Sequence, residues 1–166
     1  MVVGAYRSYW VAVRAAVGAA ASMSNCVRIK AGAAMPAGHV IVCETEGHWA
    51  VTFRAMGGDS LPLVETRSVA ECRARLREAP ASVLVLELTE SRLAEVAALV
   101  ADLYQYPLAR AMVVAARPWQ LYERPFRELG CMAFTTSLLQ VRSLVTAAKR
   151  RLERVEQNLV RLKDIV

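Results

Sequence analysis

The sequence predicts an α/β fold, a doubly wound parallel sheet of five strands with helices on both faces. The first observation is a nearly unbroken Val/Leu run at residues 83–88, which is typical of a strand buried on both sides. The second is that short β-rich runs alternate five times with amphipathic segments between residues 38 and 150. The third is an apolar content of 55%, enough to fill a core in a chain of 166 residues. Together they predict parallel strands joined by right-handed crossovers.

The first two strand and helix units follow one another closely. Residues 39–44 form a short β-rich run, and residues 47–56 have the pattern of a helix that ends at a glycine pair. A second strand is predicted at residues 61–66. Ser68 then occupies an N-cap position, with Glu71 at the spacing of a capping box, so a second helix should begin there.

Three further units complete the predicted domain. The central strand at residues 83–88 is followed by a helix at 93–103 with apolar positions at helical spacing. Residues 109–116 form the fourth strand, and a proline shortens the helix after it. Residues 130–136 form the fifth strand, and the last helix begins at about Leu138.

Residues 1–37 read as an Ala-rich extension that is flexible or weakly helical. Arg7 and Arg14 interrupt the apolar stretch, so it fits neither a secretory signal nor a membrane span. The extension raises the question of whether residues 1–34 belong to the working protein. The chain is therefore expected to be cytoplasmic, without membrane association.

The net charge of +6 is concentrated at the two ends of the chain. Residues 1–38 carry +4, residues 39–137 carry −2 and residues 138–166 carry +4. Basic ends leave binding to nucleic acid open as an alternative function, although the near-neutral centre argues against it.

The four cysteines, at positions 26, 43, 72 and 131, have no zinc-site spacing. They are expected to be reduced, buried thiols. A redox pair between Cys43 and Cys131 is the alternative, since both fall on or next to predicted strands.

Candidate functional residues lie where the predicted strands end, the edge at which open α/β sheets bind ligands. Cys43 and Glu44 end the first strand, and Glu87 ends the third. Ala115 ends the fourth, and Ser137 follows the fifth. With these placements on five βα units in the flavodoxin-like order, residues 38–150 resemble the receiver domain of bacterial response regulators, a family known as CheY-like.

The resemblance implies a phosphorylation site, but this chain departs from it at most positions. It places Glu87 at the phospho-acceptor position, Cys43 and Glu44 at a magnesium-binding acidic pair, and Ala115 and Ser137 at the switch hydroxyl and lysine. Phe134 matches an aromatic that often precedes that lysine, but an aromatic within a strand is also typical of a core.

These departures predict a degenerate pseudo-receiver that is not phosphorylated. A Glu is one methylene longer than the family's Asp, and the donors that would hold a phosphate are missing. Glu44 and Glu87 could equally be solvated acids at strand ends. We expect no metal, no cofactor and no enzymatic activity, because the sequence lacks a nucleophile and base pair and a phosphate-binding loop. Whether Glu87 mimics an activated state is left open.

The last helix carries the strongest periodic signal in the chain. Apolar residues keep an a/d spacing over four heptads, which is typical of a coiled coil: Leu138, Val141, Val145, Ala148, Leu152, Val155, Leu159, Leu162 and Val166. The first half is expected to pack on the domain. From about Arg151 onward we expect no domain surface to be left for it, so residues 138–166 are predicted to extend into a coiled coil.

The predicted function is therefore that of a non-catalytic signalling or adaptor domain. It would act through protein–protein contact, by pairing with itself as a homo-oligomer, parallel or antiparallel, or with another protein. The binding residues would be Val145, Ala148, Leu152, Val155, Leu159 and Leu162, with a second surface after the fourth strand at Arg117, Trp119 and Tyr122. The alternatives are an unusual phospho-receiver of a two-component system and a nucleic-acid-binding accessory protein.

Overall fold

The computed structural model of the chain describes residues 37–163, and the side chains up to residue 161. Most of the predicted N-terminal extension and the end of the predicted coiled coil, including Val166 and the Leu162 side chain, lie outside the described residues. None of the described helices is both long enough and apolar enough to cross a membrane.

A single five-stranded parallel sheet forms the centre of the molecule, with strand order β2-β1-β3-β4-β5. This order confirms the predicted flavodoxin-like fold. The strands are β1 (Val40–Cys43), β2 (Leu63–Thr66), β3 (Val83–Leu88), β4 (Arg110–Ala115) and β5 (Ala133–Thr135).

Five α-helices alternate with the strands, as predicted. They are α1 (His48–Gly57), α2 (Val69–Glu78), α3 (Leu93–Asp102), α4 (Glu123–Glu128) and α5 (Val141–Lys163). The predicted cap of α2 is confirmed, because the Ser68 hydroxyl accepts a hydrogen bond from the Glu71 amide at 3.1 Å. Short 3₁₀ turns at Glu90–Arg92 and Arg117–Tyr122 follow β3 and β4.

Both faces of the sheet are covered, which explains why its strands are apolar at nearly every position. On one face, Ile41, Leu84 and Val113 pack with residues of α2, α3 and α4. On the other face, Val42 and Val85 pack with residues of α1 and α5. Because side chains alternate along a strand, successive residues of β3 enter different cores.

The beginning and middle of α5 belong to the domain more fully than the sequence predicts. Val145 and Ala148 are buried in the core that α1 shares with the sheet. The prediction that the domain surface is exhausted at about Arg151 is wrong. Arg151 donates through Nη2 to the Leu108 carbonyl at 3.0 Å, and Val155 is only 4% exposed.

The predicted seam also begins too early. Leu138 lies in the 3₁₀ turn Leu138–Gln140 that precedes α5, and its side chain is 62% exposed. Ser137 is the N-cap of this turn, and the exposed Leu138 does not continue the buried stripe. At the other end, Leu159 is half-buried and Val160 is 53% exposed, so only the distal turns of α5 present apolar side chains to solvent.

Candidate functional site at the carboxyl edge of the sheet

Glu44 follows β1 and is completely buried. Its two carboxylate oxygens accept hydrogen bonds from the backbone amides of Trp49 at 2.7 Å and Ala50 at 2.6 Å. These amides belong to the first turn of α1, whose N-cap residue is Gly47 and has no side chain to cap them. Glu44 therefore caps α1. It is not a solvated acid, and neither of its oxygens is free of a protein donor to bind a metal ion.

Glu87 lies in the next strand along the sheet and is bound to the loop after β1. Its Oε2 accepts hydrogen bonds from the Thr45 amide at 2.8 Å and the Thr45 hydroxyl at 3.0 Å. The Glu87 side chain is 17% exposed, so the expectation of a solvated strand-end acid is wrong here as well. The oxygen that points toward the β1 loop is already engaged by protein donors.

Arg92, in the 3₁₀ turn after β3, supplies the positive charge of this site. Its Nη1 lies 3.8 Å from Oε2 of Glu87, and its Nη2 donates to the Cys43 sulfur at 2.7 Å. The Arg92 side chain is only 11% exposed. The guanidinium thus links the end of β1 to the end of β3, and its charge partly neutralises the two acidic groups that it contacts, Cys43 and Glu87.

Cys43 has a strongly perturbed acidity. A hydrogen bond from the Cys72 thiol, aided by Thr66 and the Arg92 charge, lowers the pKa of Cys43 to about 6 against the opposing effect of burial. The same hydrogen bond, together with burial, raises the pKa of Cys72. The Arg92 guanidinium, which donates to the Cys43 sulfur at 2.7 Å, thus favours the ionised form of this thiol.

Cys131, the other cysteine in the described part of the chain, is remote from this pair. It precedes β5, and the sheet order places β3 and β4 between it and Cys43. Three strand spacings separate the two cysteines, about 14 Å. The alternative of a Cys43–Cys131 pair is therefore wrong, while all three described cysteines are free and buried, as expected.

The predicted switch positions have local structural roles. Ala115 pairs with Leu88 across the sheet and is 4% exposed. Phe134 is buried and packs on Phe126 with ring centroids 6.0 Å apart, which fits the core interpretation. Ser137 accepts a hydrogen bond from the Leu139 amide at 3.3 Å and so caps the turn before α5.

Within the described residues, no group of three or more His, Cys, Asp or Glu side chains is arranged to hold a metal ion. Both oxygens of Glu44 face amides of α1, and Arg92 occupies the space between Cys43 and Glu87. A divalent cation would have to replace these contacts and would meet a fixed positive charge.

Three residues of this site, Thr45, Arg92 and Cys72, were not predicted from the sequence. Thr45 and Arg92 lie in the loops after β1 and β3, which the predicted sheet order makes neighbours. The adjacency of these two loops could therefore have been inferred from the sequence. Cys72 had no comparable signal, because its approach to Cys43 depends on how α2 packs across β1.

Exposed leucines lie in the segments that follow β4 and β5. Thr136 donates to the Gln120 side-chain oxygen at 2.6 Å and thereby links the 3₁₀ turn after β4 to the loop after β5. Leu121 is 50% exposed and Leu139 is 94% exposed on this surface. We name the surface formed by Leu121, Leu138 and Leu139 the exit surface.

Trp119 and Tyr122, which were expected to belong to a binding surface here, are half-buried. Their rings lie 5.4 Å apart, and both pack against the core beneath α3 and α4. The exposed apolar groups of this region are therefore the leucines of the exit surface.

Comparison with solved structures shows the receiver fold. The signal receiver domain of a putative Luxo repressor protein from Vibrio parahaemolyticus is 13% identical, with a TM-score of 0.61 over 75% of this chain and 98% of that one. The receiver domain of the TMAO respiratory system response regulator TorR is 18% identical, with a TM-score of 0.58 over 70% and 98%. An adenylate cyclase from Rhodopirellula baltica is 9% identical, with a TM-score of 0.59 over 77% and 98%.

No family model matches the chain, and no curated protein sequence matches it. Identities this low show the fold alone. The receiver fold predicted from the sequence is thus confirmed, and the function has to be argued from the site.

Proposed function

We propose that this domain is a receiver-like signalling or adaptor module of the cytoplasm that does not accept a phosphoryl group and works through protein–protein contacts. The observation that carries the proposal is the internal use of the site's acids. Glu44 caps α1, and Oε2 of Glu87 is bound by Thr45 and approached by Arg92. Phosphoryl transfer to a carboxylate needs a metal ion and an accessible oxygen in line with the donor.

The test is incubation of the full chain with Mg²⁺ and a small acyl phosphate, followed by measurement of the intact mass. We expect no adduct on this chain, whereas a receiver domain with an Asp acceptor, treated in parallel, gains about 80 Da. If this chain gains the same mass and the gain is lost in Glu87→Gln, it is a phospho-receiver and the proposal fails.

Two apolar surfaces support a role in protein contact. The exit surface exposes Leu138 and Leu139 side by side. The distal turns of α5 carry Leu159 and Val160 on a helix rich in exposed arginines. Exposed apolar groups on a small domain are commonly covered by a partner.

We assign self-association to the distal part of α5, and truncation tests that assignment. The chain should be cut after Gln157, because removal of Arg151 and Val155 would also remove contacts with the domain. The truncated chain should stay folded by circular dichroism and become monomeric by light scattering. An unchanged oligomeric state would exclude the distal helix as the contact.

A matched pair of substitutions separates the apolar contact from the effect of charge. Leu159→Glu and Gln157→Glu each add one negative charge to the same region of α5, but only the first removes an apolar side chain from the predicted seam. Dissociation by Leu159→Glu alone supports the seam. Equal dissociation by both variants indicates that the basic surface, and not the seam, controls association.

A further inference from the structure

A group of arginines lies where α5 contacts the loop before β4, at the amino edge of the sheet. Nη2 of Arg151 donates to the Leu108 carbonyl at 3.0 Å. Nη1 of Arg110, the first residue of β4, donates to the carbonyls on either side of Leu108, at 2.9 and 2.6 Å. Arg154 lies one turn further along α5, on the same side of the helix as Arg151. We name Arg110, Arg151 and Arg154 the arginine cluster.

The arginine cluster has no acidic counterpart. No carboxylate in the described part of the chain forms an ion pair with any of its members. Along α5 the nearest acids, Glu153 and Glu156, are one or two positions from Arg154, and side chains at these spacings do not face each other. The carbonyl oxygens that Arg110 and Arg151 contact carry no net charge. The described residues therefore leave the positive charge of the cluster without a counterion.

Part of this charge is removed from water. Nε of Arg151 is buried and has no hydrogen-bond partner among the described residues. Burial, together with the charges of Arg110 and Arg154, lowers the pKa of Arg151. A buried donor without an acceptor and neighbouring like charges both reduce the stability of the fold. An anion bound at the cluster would relieve the repulsion among its cations.

The cluster keeps donors that a ligand can reach. Arg154 is exposed and forms no hydrogen bond or ion pair with another described residue. Arg110 is half-buried and binds the loop carbonyls through Nη1, which leaves its Nη2 and Nε for another acceptor. A ligand would therefore bind from the side of Arg154, with the carbonyl contacts of Arg110 and Arg151 holding the other two guanidinium groups in place.

We propose that the arginine cluster is a binding site for a phosphate group, either the free ion or a phosphate ester. A guanidinium presents parallel N–H groups to a pair of oxygens, the geometry that both carboxylates and phosphates accept. A carboxylate offers two oxygens and a single charge, which suits one guanidinium. A phosphate carries about two negative charges at neutral pH and has three acceptor oxygens, so it matches the whole cluster.

This site is independent of the proposed adaptor function, because it lies at the opposite edge of the sheet from Glu87 and Arg92. A phosphate held by Arg110 and Arg154 would connect the start of β4 to the distal half of α5. Because the site exists only in the folded chain, phosphate should raise the free energy of unfolding.

The experiment titrates the full chain with inorganic phosphate at neutral pH and constant ionic strength, and measures heat of binding and thermal unfolding. We expect saturable binding with a Kd of about 1 mM or lower, and a rise in Tm that acetate at equal ionic strength does not produce. Phenyl phosphate is titrated in parallel, and the tighter of the two ligands identifies the free ion or the ester as the better occupant. If neither binds, or if acetate binds equally well, the proposal is overturned.

A matched pair of substitutions localises the binding. Arg154→Gln and Arg161→Gln each remove one positive charge from an exposed position of α5, but only the first alters the arginine cluster. Arg154→Gln should weaken phosphate binding about tenfold, because one charge-assisted contact is lost, and Arg161→Gln should weaken it less than about twofold. Equal weakening by both variants would show that phosphate responds to the overall charge of the helix, and the proposal would fail.

Arg110→Lys tests whether the planar guanidinium is needed. Lysine keeps the charge but not the paired donors, so phosphate affinity should fall about tenfold. Circular dichroism first establishes that the variant is folded, because Arg110 also contacts the loop carbonyls. Arg154→Gln removes no such contact and decides the question if Arg110→Lys does not fold. Unchanged affinity in folded Arg110→Lys would contradict recognition of phosphate by this guanidinium.

Discussion

Replacement of Glu44 by glutamine tests the reading of this acid as a helix cap. The carboxylate accepts amide hydrogen bonds from Trp49 at 2.7 Å and Ala50 at 2.6 Å in a fully buried position. Glutamine has nearly the same shape but presents an NH₂ group to one of these amides, so two donors then face each other. It also removes the negative charge from the N-terminus of α1.

The expected magnitude follows from these contacts. Loss of one charge-assisted hydrogen bond costs about 2 kcal/mol, and weakening of the other costs about 1 kcal/mol. Loss of the charge at the helix end adds about 0.5 kcal/mol, while relief from burying a charge offsets about 1 kcal/mol. Glu44→Gln should therefore lower the free energy of unfolding by about 2 to 3 kcal/mol.

The assay is urea unfolding followed by circular dichroism, in which this loss lowers the midpoint by roughly 1 M or more. The control is Glu46→Gln, because that side chain is 72% exposed and contacts only His48 among the described residues. The control should change stability by less than about 0.5 kcal/mol. If Glu44→Gln is equally mild, the two amide bonds do not stabilise the fold and Glu44 is free for another role.

Three further predictions concern the strand ends and the opposite edge of the sheet. Glu87→Ala removes the acceptor of the Thr45 amide and hydroxyl and the carboxylate 3.8 Å from Nη1 of Arg92, so it should destabilise the fold by about 1–3 kcal/mol in urea unfolding, while the exposed control Glu90→Ala should not. The folded pKa of Cys43, about 6, lies below its ordinary value of 9.0, so the unfolded chain binds more protons and stability should rise between about pH 6 and 9; a pH series on Cys43→Ser should lack this rise. Gly38→Ala places a Cβ 2.5 Å from the Ala81 carbonyl oxygen and should lower stability by about 1–3 kcal/mol in thermal unfolding; an unchanged midpoint would show that the backbone there yields.

Periodicity and strand-end placement predicted the fold but not the contacts within it. The apolar run of β3, the Ser68 cap and the alternation of strands and helices are local signals, and each was confirmed. Glu44 and Glu87 were identified as the acids at the strand ends, yet the interpretation of both as solvated acids was wrong. Their roles depend on donors from α1 and the loop after β1, and spacing along the chain does not reveal a donor's direction.

The last helix shows the same division. Its apolar residues do recur at heptad spacing. However, Val145 and Ala148 are buried in the core of the domain itself, and Leu138 belongs to the exit surface. A heptad pattern of apolar residues predicts which side chains share a face of a helix. It does not state what covers that face, because a partner helix and the helix's own domain bury an apolar stripe equally well.

The sequence by itself determined that this chain forms a parallel α/β sheet with acids at its carboxyl edge, because hydrophobic period and capping are properties of neighbouring residues. Only the tertiary structure decided that Glu44 caps α1 and that Glu87 binds Thr45. It also decided that Arg92 lies against Cys43. These contacts join residues that are up to 49 positions apart, and their geometry exists only once the strands are side by side and the helices are packed on them.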